Sequence, residues 1–168
     1  MGGSPAGSGM SRVNVHEAEF RYDEEPEGYR AAEAFAGEAN LGRAAGGRDL
    51  SVRVYEVPPG QSVCPYHYEY EEEWLLVLAG AVTLRTPGGE ESLRSGALVC
   101  FPAGPDGAHK VSCRGEEAAR VMMFSSAREP AVAVYPDSDK IGVWPPNRAD
   151  AVMLHRADGK VDYYEGET

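Results

Sequence analysis

From residue 51 onward the chain breaks into short runs of β-branched, aromatic and aliphatic residues, each soon closed by a turn signal. "SVRVYEV" alternates and stops at "PPG"; "CPYHYEY", "EWLLVLAG" and "AVTLRT" follow, the last closed by "PGGE". Next come "ESL", "ALVCF", the loop "PAGPDG", "AHKVSC", the turn "RGEE" and "AARVMMFSS". Runs this short do not fill an amphipathic helix, and eight of them at this spacing predict an antiparallel sandwich or barrel. At 168 residues one domain can bury a core without disulfide staples.

The flanks read differently. Residues 1–11, "MGGSPAGSGMS", have the composition of a flexible tail. Residues 12–50 read as an extension packing on the barrel; "PEGYRAAEAFAGEANLG" has helical propensity, but its glycines and weak apolar face argue against a long helix. The barrel core spans 51–126, and 127–168 form a C-terminal extension. Its last pieces, "AVMLHR" and "KVDYYEG", split by "ADG", predict a terminal hairpin.

Chemistry concentrates in "CPYHYEYEEEWLLVLAG", residues 64–80. With a period of two, Tyr66, Tyr68 and Tyr70 share one face and His67 and Glu69 the other. An imidazole and a carboxylate side by side can bind one cation. A turn at Glu71–Glu72 would put Glu73, which opens an apolar run, on the neighbouring strand. Later, His109, Val111 and Cys113 share a face of "AHKVSC". Arg53, Arg85, Arg94 and Arg120 lie in or beside strands, where an inward one could clamp an anion. Trp74, Leu76 and Leu78 alternate with Leu75, Val77 and Ala79, so that strand is apolar on both faces and needs cover from the tail or a partner chain.

The two motifs together resemble those of the cupin superfamily. The first has Gly60, six residues, His67-x-Glu69, three residues, Glu73, six residues and Gly80. The second has Gly96, Pro102 and Gly104, then His109 after two more residues than usual, and Cys113 where asparagine is customary. The resemblance covers about residues 50–125. It implies an all-β double-stranded β-helix, a jelly-roll barrel of two antiparallel sheets. It also implies one divalent metal ion (Mn, Fe, Ni or Zn) held by His67, Glu69, Glu73 and His109, with Glu69 in place of the usual second histidine. Two carboxylates neutralise a divalent ion and favour harder metals. Without a cation they would repel, and one would take up a proton. A small-molecule ligand or substrate and a homodimer are the partners the resemblance implies. Three functions stay open: a metal-dependent enzyme of oxygenase or isomerase type, a non-catalytic small-molecule sensor, and a cupin with a degenerate site.

Composition removes other classes. Twenty-seven acidic against 16 basic residues give a formal charge of −11, which disfavours nucleic acid and anionic membranes as partners. Three cysteines, none in a CxxC pair, suit a reducing cytoplasm. No segment reads as a membrane span.

Overall fold

The structure, a computed structural model, describes residues 11–157 and 159–166. The tail expected at 1–11 therefore lies, except for Ser11, outside the described residues. Among the described residues, fourteen strands follow one another. They are β1 Glu19–Arg21, β2 Ala32–Ala36, β3 Ala39–Asn40, β4 Leu50–Val57, β5 Tyr68–Glu69, β6 Glu73–Ala79 and β7 Ala81–Thr86. Then come β8 Gly89–Arg94, β9 Leu98–Phe101, β10 Lys110–Ser112, β11 Ala119–Ser126, β12 Ala131–Tyr135, β13 Lys140–Trp144 and β14 Val152–His155. A single helical turn, α1, spans Leu41–Ala44, with the Asn40 side chain accepting from the Arg43 amide.

All pairings are antiparallel. One wall is a large sheet in the order β1-β2-β4-β11-β6-β9, with β3 beside β2. The other wall is built from β10-β7-β8 and β14-β13-β12-β5. Isolated bridges between Ser62 and Ser112 and between His67 and His109 join its two parts. This is a jelly-roll barrel. Between the walls lie Val57, Leu75, Val77, Val82, Leu84, Val111, Cys113, Ala119 and Val121, each no more than 1% exposed. Burial of such side chains, about 1.5–3 kcal/mol each, is what closes the two sheets.

Turn geometry is strict at Gly80, where the chain reverses from β6 into β7 with φ +72°. A side chain there would also stand 3.1 Å from the Ala118 carbonyl, so glycine alone fits without strain.

Two local expectations change, while 12–50, as expected, forms no long helix: β1 and β2 extend the large sheet beyond β4. That extension covers the Leu78 end of the outer face of β6, because Val13, Val15, Ala18 and Phe20 pack with Leu41, Val54, Leu78 and Met122. At Leu78 the cover thus comes from the N-terminal side rather than the tail. The terminal hairpin does not form either: β14 pairs back onto β13, Val152 opposite Val143, and residues 160–166 contain no strand. "AVMLHR" is satisfied by an existing edge, which leaves "KVDYYEG" without a partner.

Candidate metal centre

His67 and His109 meet through their backbones before their side chains do. The His67 amide donates to the His109 carbonyl at 3.1 Å, and the reverse bond is 2.8 Å. This bridge sets the two rings 4.7 Å apart on the inner side of the wall. Glu73 arrives from the opposite wall. The chain crosses between sheets at residues 70–72, since β5 pairs with β12 whereas β6 pairs with β11 and β9. Glu73 therefore faces the histidines across the barrel and is not on a hydrogen-bonded neighbour of β5, as the turn at Glu71–Glu72 had suggested.

Each histidine is held by its other nitrogen. His67 Nδ1 lies 3.0 Å from the Pro65 carbonyl and His109 Nδ1 lies 2.9 Å from the Gly107 carbonyl. A carbonyl only accepts, so both Nδ1 atoms carry the proton and both Nε2 lone pairs are free. The His109 ring also stacks on Phe101, with centroids 3.6 Å apart and planes 8° apart. Pro105–Gly107, a 3₁₀ turn, takes up the two extra residues of the second motif. At Gly107 any side chain would collide with the Pro102 backbone, so the carbonyl that fixes His109 depends on that glycine.

The free atoms converge. Glu73 Oε2 lies 3.3 Å from His109 Nε2 and 3.9 Å from His67 Nε2. Glu73 Oε2 and His109 Nε2 are buried and, among the described residues, have no hydrogen-bond partner. Two lone pairs and a carboxylate oxygen thus point at one another with no donor between them. Burial, then the neighbouring His109, holds the His67 pKa below its ordinary value, which opposes a proton as the remedy. A cation fits this donor set: the three ligand atoms lie within 4.8 Å of one another.

Glu69 lines the same cavity but is not among these three. Burial and the adjacent Glu73 push its carboxyl up to about 7. Cys113 belongs to the apolar core, where its thiol donates to the Glu117 carbonyl at 3.2 Å. The cysteine beside the centre is Cys64, with Sγ 3.5 Å from His67 Nδ1. Burial, with Glu73 and Glu69 nearby, raises its thiol pKa far enough to keep it neutral. Glu71 is less solvated than a simple turn residue. It lines the cavity rim, and Ser126 Oγ donates to it. His16 and His155 are exposed.

The cavity has a volume of about 410 Å³. Tyr55 and Tyr135 line it; Tyr135 stacks on His67 at 5.9 Å, and burial holds its phenol up to about 12. Nothing in the sequence singled out Tyr135, because it comes from β12, beyond both motifs.

Residues 53–125, which contain all four candidate ligands, match the family model described as Cupin domain. These residues form a cupin domain. No curated protein matches the chain. Among solved structures, the chain is similar to a sugar phosphate isomerase from a cupin superfamily of Silicibacter pomeroyi. That match has TM-score 0.74 and 21% identity over 90% of this chain and 97% of the other. A candidate sugar phosphate isomerase from Acidithiobacillus ferrooxidans gives TM-score 0.73 and 23% identity, covering 89% and 95%. The polyketide cyclase RemF from Streptomyces resistomycificus gives 0.59 and 21%, covering 73% and 83%. At these identities the likeness is one of fold, and in the first two it takes in most of both extensions. No helix among the described residues is long and apolar enough to cross a membrane.

Proposed function

We propose that this cupin is a metal-dependent enzyme acting on a small organic molecule, with its divalent ion on His67, Glu73 and His109. The observation that carries this reading is the donorless convergence of Glu73 Oε2 with the two Nε2 atoms. Glu69 lines the same cavity, outside this group of three. Nitrogen and carboxylate ligands suit Mn, Fe, Ni or Zn. Such an ion would supply Lewis-acid polarisation of a carbonyl or a site for dioxygen chemistry. The chain's own part is to orient and to exclude. The Pro65 and Gly107 carbonyls fix both imidazole tautomers, Phe101 and Tyr135 hold the ring planes, and Cys64 Sγ lies against the Nδ1 side of His67.

Between the two chemistries, the isomerase type has the better support. Tyr135 and Glu69 provide a phenol and a carboxyl in the cavity able to hold or move a proton, and two structures whose fold matches about nine-tenths of this chain are named as sugar phosphate isomerases, one of them as a candidate. Metal content of the purified and reconstituted protein, followed by isomerisation and oxygen-uptake assays on a carbohydrate panel, tests the proposal. Stoichiometric metal with turnover supports it. A protein that takes up no metal after reconstitution sinks it, and ligand-induced stabilisation without turnover would make the barrel a binding module.

A further inference from the structure

Of the four strand arginines that could hold an anion, three are spoken for or misplaced. Arg85 donates to both oxygens of Asp137 at 2.6 and 2.9 Å. Arg120 puts Nε and Nη2 on Glu56 at 3.0 and 2.9 Å. Arg94 is exposed on β8. Arg53 alone lines the cavity that holds His67, Glu69 and Glu73. It makes one ion pair among the described residues, Nη1 to Glu33 Oε2 at 2.8 Å, and its side chain remains 44% exposed. A guanidinium has five N–H donors in a planar fork, and the hydrogen bond to Glu33 uses one of them.

Its support is built in. Glu33 lies on β2 opposite Tyr55, two residues along β4 from Arg53, so all three share the inner face. Glu33 is buried, and its second oxygen has no hydrogen-bond partner among the described residues. A carboxylate kept there at that cost is explained by what it holds in place. With Arg53, the cavity-lining Arg43, Arg128 and Arg148 match in number the wall's glutamates, Glu69, Glu71, Glu73 and Glu129. A divalent ion on the histidine cluster would therefore leave the cavity positive, in a chain of formal charge −11.

From this we infer that the molecule taken by the cavity carries an anionic group, a phosphate or a carboxylate, and that Arg53 binds it while Glu33 positions Arg53. The inference rests on reading the cavity as the active site, but not on which metal occupies it. Arginine's fork matches both anions, and two probes separate them.

Binding of inorganic phosphate and of malonate, with glycerol as the neutral control, is measured by titration calorimetry on metal-loaded and chelator-treated protein. The wild type binds at least one anion and not glycerol; the preferred probe identifies the group. Arg53→Gln weakens that anion about tenfold or more with metal content unchanged. Arg53→Lys, which keeps the charge and loses the fork, recovers part of the affinity. Glu33→Gln weakens the anion less than Arg53→Gln, whereas a merely structural Glu33 would lower the melting temperature and leave anion affinity alone. Equal affinity in wild type and Arg53→Gln overturns the inference, as does a wild type that binds neither anion. A wild type that takes up no metal yet loses anion binding with Arg53→Gln overturns the metal proposal and keeps this one. One that holds metal but ignores both anions does the reverse.

Discussion

The two ends of the barrel interior are built from the same strands and could hardly differ more. On β4, Val57 is fully buried in the apolar core while Arg53 lines the cavity. On β6, Leu75 and Val77 are sealed, and Glu73, in phase with them, faces two histidines. Along 109–113, Val111 and Cys113 join the core and His109 does not. Inward positions two residues apart thus pass from hydrocarbon to ionisable groups within one strand. The apolar end supplies the stability that lets the polar end keep unmatched atoms such as Glu73 Oε2 and Glu33 Oε1.

If that division holds, damage at one end should leave the other's property intact. The largest effect is expected from His109→Ala: metal affinity should fall by more than about 100-fold, since even an outer partner of a ligand costs 10–100-fold. Metal content after dialysis measures it, and chelator-treated variant and wild type should unfold at similar temperatures. Next, Leu75→Ala should cost about 2–5 kcal/mol in denaturant unfolding while the folded protein still takes up metal. Metal lost with stability unchanged would break the comparison.

A third prediction sharpens it through pH. Glu69 titrates near 7 when folded against an ordinary 4.5, so the folded metal-free protein holds that proton more tightly than the unfolded chain. The contribution is present below about 4.5 and is lost as pH rises through about 7. Stability of chelated wild type relative to Glu69→Gln should therefore decline across that window, and bound metal should shrink the decline by neutralising Glu73. A flat difference would mean that neither burial nor the charge of Glu73 raises the Glu69 carboxyl. The smallest effect belongs to Arg85→Gln, outside the cavity: about 1 kcal/mol or less, with metal and anion binding unchanged.

Much of the centre was legible because strand periodicity and motif spacing are local. His67, Glu73 and His109 were readable, as were the tyrosine face, where Tyr66 and Tyr68 pack on Val134, and the shared face of His109, Val111 and Cys113. Whatever depended on the path between strands was not. The crossing at 70–72 could not be told from a hairpin, so Glu73 was expected beside the histidines and stands opposite them. Neither motif marked Cys64, although its Sγ lies 3.5 Å from His67 Nδ1.

The sequence by itself determined the β class, the two motifs and the candidate ligands, because turn residues and a period of two act over a few positions. Tertiary structure alone decided which of them meet. It gathered three candidate ligand atoms from two walls, left Glu69 beside them, put Arg53 alone of four arginines on the cavity and brought in Tyr135 from beyond the motifs. Those choices depend on closing the sheets over one another, and no stretch of the chain encodes that closure locally.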